Sequence, residues 1–397
     1  MTKKFLVGRC IVQDLSDTDF YKLTMMYAMM LFFPHVWGRY EFTDRGKTQW
    51  NERMVDELKH QVKLIGGLRF SSDVLRTLAK FPFLPHHFLF ETLKNLRMDP
   101  DEVQISLEDG RLKVVVEGPI YRAMLWEIYL MSTISELHYI LNDLHPNWVL
   151  FQEKLQIKLE KILRYGLFVA EYGTRRRQSF AIHDTAVRMG MNIFVGTSNV
   201  WLAHKYGIKV LGTMAHEWFM LMQGIFGTRS ANRMGLEFWL KVYGSRLGTA
   251  LTDTFTTEAF LNDFTYDFAT GFDSLRQDSG DPYVIGEMFI NHWNQLGIDP
   301  LTKTTMFSDS LNIDKAHDLD AHFRGRVKRV ASGIGTDITN DCGLTPLNMV
   351  IKLAAVKDMS RVTPRWVDVV KISDHPGKAR GTAEAIASTK YELGIAA

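Results

Sequence analysis

The 397-residue chain is predicted to be an α/β protein, an irregular or incomplete (β/α) barrel preceded by an α+β domain. Three observations predict this. From about residue 150 to residue 373, short apolar runs alternate with amphipathic helical stretches, the pattern of βαβ units around a parallel sheet. About seven or eight such repeats occupy roughly 220 residues, short of the ~250 that a full barrel takes. The first 145 residues lack this rhythm and carry a hairpin signal instead. The implied units are residues 1–145 (α+β), 146–373 (barrel-like, catalytic) and 374–397 (a polar, helical tail).

In the first unit, helices are expected over 21–33, 51–64 and 123–141, and a strand over 36–42. Residues 104–116 alternate in polarity on both sides of Asp109-Gly110, a dipeptide suited to a tight hairpin turn. In the barrel, the apolar runs at 167–170, 192–195, 209–211, 250–252, 272–275, 305–307, 328–331 and 368–370 read as strands. Helices are expected over 179–189, 200–206, 217–226, 235–244 and 284–296, and in the tail after Thr382. Most strand candidates are followed by Gly, Ser, Thr, Asp or Arg, so the polar groups converge on one mouth, the catalytic face of such a barrel.

Composition narrows the function. With 47 basic and 45 acidic residues, bulk charge favours neither nucleic acid nor an anionic membrane. Two cysteines, Cys10 and Cys342, build neither a disulfide framework nor a zinc site, which suits a reducing compartment. Met1-Thr2-Lys3-Lys4-Phe5 lacks a signal-peptide apolar core, and no apolar run approaches a membrane span, so a cytoplasmic enzyme is expected. There is no Gly-x-x-x-x-Gly-Lys-Ser/Thr and no Gly-x-Gly-x-x-Gly.

The most informative segment is Gly212-Thr213-Met214-Ala215-His216-Glu217-Trp218, which sets a histidine between a short apolar run and a helix. A core histidine satisfied by a carbonyl is the ordinary alternative. Three similar junctions weigh against it: Tyr172-Gly173-Thr174-Arg175-Arg176-Arg177, Arg276-Gln277-Asp278-Ser279-Gly280-Asp281 and Gly333-Ile334-Gly335-Thr336. Arginine forks match phosphate and carboxylate geometry, though only one or two of the triplet can face inward. Glycines such as Gly335 let backbone amides approach a phosphate. Ser308-Asp309-Ser310 offers a further acid at a strand end. His216 needs an acceptor on one ring nitrogen; Asp253 is expected, with Glu217 the alternative.

These segments, with Asp19-Phe20-Tyr21-Lys22 near the start and Val370-Lys371-Ile372-Ser373-Asp374 near the end, resemble the nicotinate phosphoribosyltransferase family, relatives of nicotinamide phosphoribosyltransferase. The resemblance implies attack of the nicotinate ring nitrogen on C1 of 5-phosphoribosyl 1-diphosphate, with release of diphosphate and hydrolysis of ATP. It implies that His216 becomes a phosphohistidine and that Tyr172 and Tyr21 sandwich the pyridine ring, Tyr21 coming from a partner in a homodimer with shared sites. By the same resemblance Arg175 contacts the phosphoribosyl diphosphate, Arg276 nicotinate or the diphosphate, Asp278 the ribose hydroxyls or Mg2+, and Gly335 with Thr336 the 5-phosphate. Thr213 and Asp309 join the substrate-binding set. Where Ser198 stands the nicotinamide enzyme has an aspartate, so the acid substrate is favoured. Lys378-Ala379-Arg380-Gly381 matches the family's basic C-terminal loop only loosely. Alternatives are a transferase for nicotinamide or another aromatic base, a catalytically silent nucleotide-binding barrel, or a Schiff-base aldolase using Lys371.

Overall fold

The structure, a computed structural model, describes residues 7–46 and 48–395. The extreme N-terminus, expected not to be a signal peptide, lies outside the described residues. Three strands form early: β1 (Val36–Asp44), β2 (Val103–Glu108) and β3 (Arg111–Pro119). The hairpin between β2 and β3 is as expected, with Glu108 paired to Arg111. Asp109 (φ 50°) and Gly110 (φ 73°) both take the left-handed conformation that its two-residue turn requires. Helices Phe20–Phe32, Glu52–Gly66 and Trp126–Leu141 fill the same layer. The last is buried along nearly its whole length, wedged between helix Glu52–Gly66 and the barrel.

The barrel strands are β4 (Phe168–Glu171), β5 (Gly196–Thr197), β6 (Thr249–Leu251), β7 (Ser274–Gln277), β8 (Thr304–Phe307) and β9 (Arg329–Ile334). They are parallel, in the order β5-β4-β9-β8-β7-β6. First pairs with last across β4–β9, so the sheet curls round on itself. It stays open between β5 and β6, where Val210 makes a single bridge to Thr197 and the Thr213 hydroxyl donates to Thr249 O at 2.8 Å.

Three expected barrel strands are corrected. Residues 192–195 form a turn, because Phe194 packs so closely on Gly190 that a Cβ there would lie 2.1 Å from the ring. Residues 209–211 contribute only the Val210 bridge. The run at 368–370 does not belong to the barrel. β10 (Met349–Asp358) and β11 (Trp366–Asp368) return to the first sheet, which runs β11-β10-β1-β3-β2 and is antiparallel throughout. The burial of β10 explains its destination. Met349, Ile351, Leu353 and Ala355 are buried while Val350, Lys352 and Ala354 are partly exposed, the alternation of a one-faced strand. By contrast, the barrel strand β8 is buried at three consecutive positions, Thr305, Met306 and Phe307. The tail helix, Ala383–Leu393, begins after Thr382 as expected, is capped by that residue's side chain, and docks through Thr389, whose hydroxyl accepts from Gln223 at 2.9 Å.

Candidate active site

His216 is the first residue of helix His216–Phe226. Its Nε2 lies 3.0 Å from Asp253 Oδ1 and 3.6 Å from Asp278 Oδ2. Asp278 directly follows β7 and Asp253 lies two residues past β6, so the sheet itself delivers both carboxylates to the ring. Burial pushes the imidazole down to about 4; the Lys371 ammonium acts the same way, against the pull of Asp253. The ring is therefore neutral at pH 7. With Nε2–H donated to Asp253, its lone pair sits on Nδ1.

Asp253 is fully buried, which alone would raise its pKa. Lys371, His216 and Ser279 outweigh burial and hold the carboxyl well below its usual range. Ser279 Oγ donates to Asp253 at 2.6 Å, and Lys371 Nζ stands 3.1 Å from it. Lys371 is thus an ion-pair partner of this aspartate. Asp278 falls to about 2: burial opposes ionisation, but Arg276 prevails. Arg276 reaches Asp278 at 3.2 Å and Ser308 Oγ at 2.8 Å. Glu217, the other candidate to orient His216, faces elsewhere. Together with Glu127 it clamps the wholly buried Lys22, at 2.5 and 2.7 Å.

Beside this group opens a cavity of ≈ 620 Å³, within the usual range for small-ligand sites. Tyr21, Tyr172, Arg175, Ser198, Thr213 and Arg276 all line it. The arginine triplet divides as helical sterics require. Arg175 faces the cavity and Arg176 is only partly buried. Arg177 is in the core, paired with Asp17 through two bonds of 2.7 and 2.8 Å.

Tyr21 lines the cavity of its own chain, whereas the family resemblance implies a partner's tyrosine there. The reason is local. Phe20 N donates to Ser198 O at 2.7 Å, Asp19 bridges to Asn199, and Thr24 Oγ1 donates to Thr213 O at 2.6 Å. The N-terminal segment is thereby sewn into its own barrel mouth. Gly212, at φ 144°, is also confined, since a Cβ there would lie 3.0 Å from Tyr21 N.

Other expected residues also make contacts within the chain. Ser198 spends its proton on Asp19, with Oγ 2.7 Å from Oδ1. Asp19 is a buried carboxyl that burial raises, and sequence reasoning missed it as a site residue although it lies in the quoted motif. Thr213 spends its hydroxyl on β6. Asp309 pairs with Lys378, so the loop after residue 374 reaches the mouth. The Gly333-Ile334-Gly335 glycines are required by Tyr172. A Cβ on Gly333 would lie 2.8 Å from its ring, and one on Gly335 2.7 Å from its carbonyl oxygen. Thr336 begins the short helix that follows. Glu127 and Asp19 are polar site residues that spacing alone did not single out, and Lys371, considered only as a Schiff-base lysine, pairs with Asp253 instead.

A curled parallel sheet with an aromatic, arginine-lined cavity and a buried His–Asp pair beside it defines an α/β enzyme whose site suits a flat, anionic small molecule. The family model described as "Nicotinate phosphoribosyltransferase (NAPRTase) family" matches residues 167–395, and that of its N-terminal domain matches residues 16–135. The chain belongs to the nicotinate phosphoribosyltransferase family. It is 40% identical to the nicotinate phosphoribosyltransferase of Chromohalobacter salexigens, over 97% of this chain and 99% of that protein. Identity to the Methanosarcina mazei protein of the same name is 38%, over 97% and 98%. The crystal structure of nicotinate phosphoribosyltransferase from Porphyromonas gingivalis superposes with a TM-score of 0.94 at 35% identity, covering 97% of this chain and all of that one. No helix among the described residues is long and apolar enough to cross a membrane.

Proposed function

We propose that this chain catalyses phosphoribosyl transfer to nicotinate in pyridine-nucleotide biosynthesis. The nicotinate ring nitrogen forms a bond to C1 of 5-phosphoribosyl 1-diphosphate as the C1–O bond breaks and diphosphate leaves. The product is nicotinate mononucleotide. The observation that carries this reading is the convergence of Tyr21, Tyr172, Arg175 and Arg276 on one cavity beside the His216–Asp253 pair.

The aromatic rings hold the flat, weakly nucleophilic base in line with C1. The guanidinium groups of Arg175 and Arg276 take up charge that develops on the leaving diphosphate. ATP is the co-substrate: a neutral His216, oriented by Asp253, attacks the γ-phosphorus through Nδ1, ADP departs, and water later releases phosphate from the ring. Magnesium fits the donor set. Asp253 is fully occupied by His216, Ser279 and Lys371, while Asp278 still offers Oδ2, and Mg2+ usually takes one or two carboxylates alongside substrate phosphates. When bound, it would neutralise charge on the diphosphate.

Purified protein with phosphoribosyl diphosphate, Mg2+ and either nicotinate or nicotinamide, with and without ATP, tests this. Mononucleotide is expected from nicotinate, with turnover raised by ATP. Equal use of nicotinamide, or no product from nicotinate, would overturn it.

Tyr21 lines the cavity of its own chain, which supports a reading in which it serves that site in cis. Tyr21→Ala and Arg276→Ala chains, each impaired alone, are expected to give no activity beyond their sum when mixed and allowed to exchange. Recovery of about a quarter of wild-type activity, the yield of randomly mixed dimers with shared sites, would show that Tyr21 acts in trans.

A further inference from the structure

The cavity does not stop at the substrate-facing rings. Phe168, Thr249, Ser274, Thr304 and Arg329, each the first residue of its strand (β4, β6, β7, β8 and β9), line the same void as Tyr172 and Arg276 at the opposite strand ends. The void therefore runs the length of the barrel. A (β/α) barrel normally fills its axis with layers of bulky branched side chains. Here the lining at mid-height includes Ala170 and Ala331, which leave the axis open.

The rim at the amino-terminal end of the strands is charged. Arg246 and Arg329 are exposed there, exposed Lys209 lines the same void from the open side between β5 and β6, and one carboxylate, Asp273, lies among the lining residues. Arg329 lies 4.4 Å over the Phe168 ring, presenting a cation against an aromatic surface. Nothing in the transfer reaction uses these residues.

We infer that this second opening admits the aromatic carboxylate substrate to the ring-binding walls, its three cations drawing the anion in. The inference rests on the proposed transfer to nicotinate. The phosphoribosyl donor is a large polyanion that must sit at the carboxyl-terminal mouth, beside Asp278 and His216, and once seated it covers that mouth. A flat, singly charged pyridine carboxylate can still arrive along an axis walled by Ala170, Ala331, Ser274 and Thr304 together with the flexible Met306. A net positive rim raises the local concentration of a small anion and its association rate, in a salt-dependent way.

The test is a rapid-mixing measurement on full-length enzyme preloaded with phosphoribosyl diphosphate and Mg2+. Nicotinate is added, and the second-order rate constant for mononucleotide formation is read at low and high ionic strength. In the Lys209→Glu/Arg246→Glu/Arg329→Glu variant, whose changes are all on exposed side chains, that constant should fall at least about tenfold at low salt, and its salt dependence should reverse, rising with ionic strength as the new repulsion is screened. Thr304→Trp, which narrows the axis without changing charge, should slow nicotinate arrival in the preloaded enzyme. It should do so less when nicotinate is added before the donor. Either variant keeping the wild-type constant and salt dependence would overturn the route. Absence of mononucleotide from the wild-type enzyme would instead overturn the transfer reaction, and the route with it.

Discussion

A His216→Ala chain incubated with γ-labelled ATP takes up no phosphoryl group, whereas the wild-type chain is labelled in an acid-labile, base-stable linkage. ATP then no longer raises mononucleotide formation. The expectation follows from the protonation state of the ring. Burial and Lys371 keep His216 neutral, and Asp253 at 3.0 Å fixes Nε2 as the donor, leaving Nδ1 as the nucleophile. Asp253→Asn tests that orientation separately. An amide can present its NH2 to the ring and stabilise the wrong tautomer, so labelling should slow by roughly 10²–10⁴-fold without loss of the fold. The pH profile carries the same signature. An ordinary histidine loses its lone pair to protonation below ~6.5. With its pKa lowered to about 4, His216 should be labelled at a level rate from pH 8 down to about 5, and only then decline. Labelling that persists in His216→Ala would assign the phosphoryl acceptor to another residue.

Ser198→Asp is expected to lower kcat/KM for nicotinate by about 100-fold or more and to lower that for nicotinamide less, so the ratio moves towards the amide. The argument is electrostatic. Ser198 already spends its hydroxyl proton on Asp19, so discrimination rests on what position 198 lacks: a negative charge. A second carboxylate there would face Asp19 in a buried wall of the cavity and also repel the substrate's own carboxylate. Each 1.36 kcal/mol of such repulsion is a factor of ten. Measuring both efficiencies on one preparation decides it. An unchanged ratio would place recognition of the ring substituent elsewhere, with Arg175 the next cavity cation to replace.

The sequence made the long helices and the β2–β3 hairpin plain because their signals are local: Asp109-Gly110 sets the turn, and Thr382 caps the last helix. Asp253, Arg276 and Asp278 were legible because each stands at or just past the carboxyl end of a strand, and His216 because it opens a helix after a short apolar run. What was not legible depends on distant partners. The 192–195 run is as apolar as a strand, yet Gly190 draws Phe194 into a turn. The fate of β10 is decided by a sheet laid down hundreds of residues earlier. Its period-two burial was available in the letters, but the preceding barrel rhythm masked it. Asp19 and Lys371 gain their roles only through contacts with Ser198 and Asp253, which neither motif contains.

The pairing of β1 with β10 also governs how the molecule is made. Val36 is matched with Asp358, so one edge of β1 stays unpaired on the ribosome until nearly the whole chain has emerged. Contacts so far apart along the chain carry a large loop-closure cost and slow folding. The barrel segment can collapse first, while the nascent N-terminal strands wait with an open edge that invites pairing with other chains. A chain cut short before residue 349 would keep every residue from Asp19 to Asp309 in the mouth, yet lack the strand that closes the sheet beside it. Proteolysis during synthesis, or a stalled message, would thus leave an aggregation-prone fragment in place of a smaller enzyme.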